Sequence, residues 1–519
     1  MCVINIKRRN FMKKISTKII AMLLLLSLCF SVVACNRGNG NGNGSGNGSG
    51  DGTGDGGNNG NNSGTTISTE VYDDDVIYVG NTAATTGAGA TIGVPFNLGI
   101  EAAFAVYNAK GGFNGKTVAL KHYDDMGDSA QAVTYMEKLI HEDNIFAVVG
   151  NYGTYAVEAN LDILKENCVP MVYAASGSDS LYNNNATSDG DRCIFPVQPL
   201  NAAEGQVLIL RAFAPTHDSE GNYVGGIGGT KVGVISNSDE ASQAMVEGIK
   251  LEAQNSGLTN IIYQNVATDD YSAVAAALQA EGCDVIIITV VGKPFISALT
   301  ALADVNYDKN ILTSYNNANP ADFNGDDNRM TETGLKIFSK MAIYAQGWLD
   351  TNDLTYYFKD TSTALYKMYS VLNMVAKDEN GNELGVPNFT AKYWEAALDI
   401  FNYAATIGRQ DAFAMSYNSY ALAGYIAGNL FCQALEAMQT QGLELTRANL
   451  VSVLENNDFQ LAMADVISYK NGVRAGVQAF SLFAFFDSNT VTNDGKHVAS
   501  SATVHPLTSI EEYRALIGK

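Results

Sequence analysis

Positive charge is scarce in this chain of 519 residues: 32 Lys and Arg stand against 54 Asp and Glu, a formal charge of −22. Nucleic-acid phosphates would be repelled by such a body, so a nucleic-acid partner is excluded on charge. Cysteine is scarce too, and its seven copies include no CxxC and no metal-like spacing. The five histidines, His122, His141, His217, His497 and His505, are scattered, with no pair at a metal-binding interval. HExxH, Walker and GxSxG sequences are missing from the folded body. Catalysis therefore has no candidate constellation, and no catalytic residue, metal ligand or cofactor is expected. Two weaker hints fail on spacing. TGAGATIG sets its glycines as GxGxxxG several residues after a strand, whereas a dinucleotide turn needs them at its end. Asp322, Asn324, Asp326 and Asp327 miss the EF-hand interval and read as a solvated turn.

What is present begins with an export segment. Lys13, Lys14 and Lys18 precede an apolar run over residues 19–30, short for a membrane-spanning helix and ending in small residues. Val32-Val33-Ala34-Cys35 resembles a bacterial lipobox. That resemblance implies cleavage before Cys35 and lipidation of its thiol and new amino group. Translation starts at Met1 or Met12, since residues 1–11 add nothing to the signal. Residues 36–66 are almost entirely Gly, Asn, Ser and Asp, which cannot bury enough apolar surface to offset chain entropy. A flexible segment of about 30 residues reaches roughly 30 Å, the length of a tether. Losing residues 1–34 leaves 26 basic against 54 acidic residues, a charge of −28. Among the remaining cysteines, Cys168 and Cys193 flank one strand and are candidates for a disulfide or for buried thiols. Cys283 and Cys432 lie in apolar contexts and read as buried thiols.

Residues 144–180 organise the folded part. NIFAVVG and VPMVYAAS are short apolar runs of the kind a buried parallel strand requires. Between them a helix of about four turns carries Val157, Leu161, Ile163 and Leu164 as its apolar positions. The unit is βαβ, with Gly150 to Thr154 at the turn and Thr154 as N-cap. Free N–H groups there present positive charge at a strand's carboxyl end, where open α/β sheets bind ligands. Ala175-Ser176-Gly177-Ser178 opens on the same edge. Before this unit come a strand over 76–80, a loop over 81–93, a helix over 96–108 closed by Gly111-Gly112, and a strand over 116–123. Asp128 and Gln131 fit a capping box opening a helix over 130–140. The alternation makes an α/β fold with a parallel sheet, and the length suffices for two domains.

These runs resemble the type I periplasmic binding proteins, in the branched-chain amino acid and amide group that serves ABC importers. The matching landmarks are TGAGATIG with AAFAVYNAKGGFNGKTVAL, YDDMGDSAQAV, FAVVGNYGTYAV and VPMVYAAS, then KVGVISNSDEASQAMVEGIKLEA, CDVIIITVVGKPFISAL, ILTSYNN and AMSYNSYALAGYIAGNLFCQALEAM. The likeness covers about 76–486 and is weakest over 350–411. It implies two Rossmann-like lobes joined by three crossings, near Gln198, Ala342 and Tyr469. The expected organisation is a signal peptide over 1–34 and a tether over 35–69. Lobe I would take 70–198 and 343–469, and lobe II 199–342 and 470–519.

The resemblance further implies that Thr86, Tyr152, Gly153, Thr154, Ala175 and Gly177 grip a ligand's polar end, with Ser176 or Ser178 standing in for the hydroxyl Gly177 lacks. In lobe II an expected capping aromatic falls near Ala241 and another near Val291. The acid that pairs with an α-ammonium falls near Tyr315, beside Asn316 and Asn317. Either Asp239 or Glu240 supplies that acid, or the ligand is a neutral amide, organic acid or aromatic compound. Tyr152, Tyr155, Tyr173, Tyr315 and Tyr417 are candidates for stacking or hydrogen bonding. The implied role is a monomeric, lipid-anchored receptor on the extracytoplasmic face of the cell membrane. It would hand a small molecule to an ABC transporter permease. A sensor lipoprotein of the same fold is the alternative, and an enzyme is not expected.

Overall fold

The computed structural model describes residues 66–351 and 390–519, except 269, 326–328, 417 and 493–494. The export segment with Cys35, the tether up to residue 65, Tyr417 and most of residues 350–411 lie outside the described residues.

The strands β1 (Val76–Ala83), β2 (Thr117–Asp124), β3 (Ala147–Val149), β4 (Met171–Ala174) and β5 (Ile194–Pro196) form a five-stranded parallel sheet in the order β2-β1-β3-β4-β5. The second sheet draws on β6 (Val232–Ser236), β7 (Ile261–Asn265), β8 (Val285–Ile288), β9 (Asn310–Thr313) and β10 (Ala342–Gly347). A short pair, β11 (Asp458–Gln460) and β12 (Val466–Ser468), stands apart; β13 (Ala479–Asp487) and β14 (Ala499–Ser509) then complete the second sheet. Its order is β14-β13-β10-β9-β8-β6-β7, parallel from β7 to β10 and antiparallel at β13 and β14. Every residue of β3 and β8 is buried, as continuous Val and Ile runs are when helices cover both faces of a sheet.

The helix Ala90–Ala109 lies against Ser419–Thr440 with backbones in contact. A Cβ on Gly99 would collide with the Ala421 carbonyl, and one on Gly424 with the Phe96 carbonyl. By length and composition the first of these helices could cross a membrane, yet 61% of its most apolar window is buried in this packing. It begins at Ala90, inside the loop expected over 81–93. Gly93 permits this, because its lack of a Cβ lets the first turn settle on the Ala84 carbonyl. Asp128 caps the helix Ser129–His141, accepting from the Gln131 N–H at 2.9 Å, which is one half of the expected capping box. Cys168, Cys193, Cys283 and Cys432 are buried thiols.

Among the described residues the chain changes from one sheet to the other at three places. The first passage follows Val197, and the helix Asn201–Phe213 opens the second lobe. The second lies beyond Gly347, not near Ala342, because β10 is hydrogen-bonded between β9 and β13. The third falls at Val477, not near Tyr469. The Tyr469 phenol still bonds the Pro196 carbonyl in the first lobe at 2.9 Å, and the Val477 N–H bonds the Val197 carbonyl at 2.8 Å. Arg474 secures this passage. Wholly buried, it pairs with Glu455 at 2.7 Å, donates to the Arg192 and Tyr469 carbonyls, and stacks 4.6 Å from the Phe195 ring.

Candidate functional site

The carboxyl ends of β3 and β4 carry two adjacent loops. After β3, Gly150 and Gly153 take φ of 69° and 92°, which only glycine adopts without strain. Gly153, not Thr154, is the N-cap of the helix Thr154–Glu166; Thr154 is its first residue. The capping role expected of Thr154 is therefore absent, and its hydroxyl is free for another partner. That partner is Ser176, whose Oγ stands 2.8 Å from Thr154 Oγ1. A register shift between Val172 and Ala174 sets the second loop. Between them Tyr173 adopts φ of 64°, uncommon for any residue but glycine, and kinks β4 as it enters Ala175.

Most of the backbone donors expected to grip a ligand are already engaged. The Gly153 N–H donates to Ala175 O at 3.3 Å, and the Ala175 N–H to Asn151 O at 2.9 Å. With the Gln198 amide turned so that its oxygen faces the loop, the N–H groups of Ser176 and Gly177 donate to it at 3.3 and 3.1 Å. At the helix start the first backbone bonds come from Ala156 and Val157 to Gly153 O, so among the described residues the Thr154 and Tyr155 N–H groups keep no backbone acceptor. Among the loop groups expected to grip a ligand, these two amides and the hydroxyls of Thr154 and Ser176 are the donors left available.

Ser178, offered with Ser176 in place of the hydroxyl Gly177 lacks, is bonded to neighbouring side chains. Its buried Oγ bonds Glu158 on the helix Thr154–Glu166 and, at 3.3 Å, Glu240 at the start of the lobe II helix Glu240–Asn255. Ser180 joins the group at 2.9 Å. Burial first, and then the Glu158 carboxylate beside it, push the Glu240 carboxyl above its ordinary range. Of the two acids offered for an ammonium, Glu240 reaches lobe I. Asp239 stays on its own loop, bonded to Asn237.

Other expected residues lie apart from this group. Thr86 is exposed and bonded to Asp124. Tyr152 is half-buried, stacked at a tilt 5.7 Å from Phe96, and its phenol is pushed up to about 12 by burial, with Tyr420 and Asp125 adding to it. Tyr155 donates to the buried Asp125 carboxylate at 2.7 Å. Tyr315, on the turn after β9, reaches the first passage: its phenol donates to the Pro199 carbonyl at 3.1 Å. Asn316 is exposed beside it, while the buried Asn317 bonds the Val290 carbonyl. Ala241 and Val291 pack on a lobe II core cluster. Tyr417 lies outside the described residues.

Three groups here carried no signal in the sequence. Glu158 is one helical turn beyond Thr154, and any acid on an amphipathic helix reads as solvated. Tyr420 opens the helix Ser419–Thr440, its phenol raised by burial and by the charge of Asp322 from lobe II. Glu204 is wholly buried beneath Tyr315.

A family profile described as periplasmic binding protein matches residues 76–376, more than half of the chain. The chain belongs to the periplasmic binding protein family. Its two-sheet architecture is that of the type I members. Leu/Ile/Val-binding protein homolog 2 of Brucella abortus is 26% identical over 212 residues, 40% of this chain and 53% of the relative. The amino acid binding protein of Pseudomonas aeruginosa is 25% identical over 223 residues, 42% and 54% of the two chains. This periplasmic binding protein thus spans about half the length of the curated relatives it matches. Among solved structures, a branched chain amino acid ABC transporter from Thermus thermophilus with bound valine superposes with a TM-score of 0.55 at 14% identity, over 85% of this chain and 98% of that one. A fatty acid ABC transporter substrate-binding protein from Thermomonospora curvata gives 0.53 at 15% identity, over 87% and 95%. At such identities the likeness is one of fold.

Proposed function

We propose that this periplasmic binding protein is a lipid-anchored, extracytoplasmic receptor that takes up a small amino-acid-like molecule between its lobes and presents it to an ABC importer. The observation that carries the reading is the cluster Thr154, Ser176, Ser178, Glu158 and Glu240. It sets two unbonded amides and two hydroxyls, suited to a carboxylate, beside two carboxyls suited to an ammonium. Glu240 takes over the acid that the Tyr315 position lacks, which favours a zwitterion over a neutral amide. The names of the relatives support the same class. No bond is made or broken in this role; binding energy goes into lobe closure. Cys35 supplies the anchor, and residues 36–66 the reach from the membrane.

Calorimetric titration of the full-length protein with leucine, isoleucine, valine and their amides tests the reading. Saturable binding of at least one free amino acid, lost in its amide, is expected. Binding of amides alone, or of none of these compounds, would reject it.

A further inference from the structure

Glu204 lies in the first turn of Asn201–Phe213, directly after the first passage between lobes, and is wholly buried. Its Oε1 accepts from the Tyr315 N–H at 2.7 Å and its Oε2 from the Ser314 hydroxyl at 2.8 Å. Its backbone carbonyl accepts from the Gln346 amide at 3.0 Å, at the end of β10 just before the second passage. One residue therefore joins the beginnings of two of the three passages to the turn Tyr315–Asn317. That turn presents Asn316 to solvent and sends the Tyr315 phenol back to Pro199, where a Cβ on Gly177 would lie 3.0 Å from its oxygen.

We propose that Glu204 is a positioning residue for the ligand site: it holds the Ser314–Asn317 turn, and with it the Tyr315 wedge between the lobes. The inference rests on the reading that ligand binds between the lobes, but its first test does not need a ligand. No cation faces this carboxyl among the described residues. Around it are the Ser314 hydroxyl, the Tyr315 amide and phenol, and the Gln346 amide; from the helix Glu240–Asn255 the contact on the next residue, Gly205, is the Met245 carbonyl. Arg211, on the same helix, donates instead to the Gly225 and Phe480 carbonyls. Burial raises the Glu204 carboxyl to about 7, against the lowering effect of its bonds from Tyr315 and Ser314. Below that pH the group is neutral and the turn stays packed. Above it, a buried charge without a counterion favours an arrangement that admits water.

Trp348 reports on this region: it begins the segment after β10, its ring lies 6.4 Å from that of Tyr173, and Tyr315 packs against the same cluster. With Trp394→Phe, Trp348 is the single indole of the chain. In ligand-free full-length protein its fluorescence should titrate with a midpoint of about 7. Glu204→Gln should abolish that step and hold the acid-form spectrum throughout, while Ser314→Ala should move the midpoint upward. A wild-type protein without the step, or a step that survives in Glu204→Gln, overturns the proposal. Where leucine binds, its affinity should fall by up to about tenfold from pH 6 to pH 8 in the wild type and stay level in Glu204→Gln. Absence of leucine binding with an intact fluorescence step would count against the ligand reading and leave the role of Glu204 standing.

Discussion

Thr154 Oγ1 and Ser176 Oγ stand 2.8 Å apart, one on each of two neighbouring loops at the carboxyl edge of the lobe I sheet. The contact fixes both hydroxyls beside the open amides of the helix start. Replacing Thr154 by Ala removes one of the two hydroxyls proposed to meet the ligand. Ser176 keeps its bond from the Ser178 N–H at 3.1 Å. Binding should weaken by about 1 kcal/mol or more, with little change in the unfolding temperature. Calorimetry with the amino acid that binds the wild type decides it, and unchanged affinity would remove Thr154 from the site.

Gly99 and Gly424 are where two helix backbones meet, so the packing has no room for a methyl group. Gly99→Ala should destabilise the protein by about 3 kcal/mol, at the upper end for overpacking, since backbone and not a side-chain tip lies in the way. Urea unfolding monitored by circular dichroism would measure the loss. A variant as stable as the wild type would mean that the helices are not in contact.

Arg474 is a buried cation whose carboxylate partner Glu455 also pairs with Arg192 at 2.8 Å. Truncating Arg474 to Ala leaves Glu455 and three carbonyls, those of Arg192, Tyr469 and Val473, short of a donor, at a cost of about 3–5 kcal/mol. Glu455→Gln, which keeps a hydrogen-bonding side chain, should cost less. Chemical denaturation of the two variants gives the order.

The contact between Glu158 and Glu240 across the lobes sets a pH dependence. The Glu240 carboxyl is raised from its ordinary 4.5, chiefly by burial and then by Glu158. A carboxyl raised in the folded state binds its proton more tightly there than when unfolded, so the contact is intact at acid pH. It is lost as pH climbs past the ordinary value through the raised one. Glu240→Gln should therefore match the wild type at about pH 4 and melt at a higher temperature near pH 7. Scanning calorimetry at the two pH values tests the sign; a variant less stable at neutral pH contradicts it.

The parallel part of the fold was legible because β3, the helix Thr154–Glu166 and β4 each carry one unambiguous pattern: a β-branched run, a spaced apolar stripe, another run. Boundaries set by tertiary contact were not. Nothing local shows that Ala90 starts a helix, since Gly93 matters there only through the Ala84 carbonyl. Nor does anything local assign β10 to the second sheet, a matter of which strands lie beside it. The Thr154 cap was a fair reading of a hydroxyl at a helix start, but the positive φ of Gly153 shifts the cap back one residue. Within the candidate cluster, the sequence pointed to the loop residues and to Glu240, but not to Glu158 or to the buried Glu204. Glu158, Glu204 and Glu240 look alike as acids in first or second helical turns, and only the folded chain separates one facing water from one under Tyr315.

The Arg447 guanidinium donates to the Ile145 and Phe146 carbonyls, 302 and 301 residues earlier in the chain. Lobe I is thus begun by the first strands and finished by a segment synthesised after the five parallel strands of lobe II. A nascent chain can complete the later lobe's parallel strands while the earlier lobe still lacks its covering helix. The order of assembly therefore departs from the order of synthesis, and the half-built sheet must wait, its apolar face bare, for the carboxyl-terminal third to arrive.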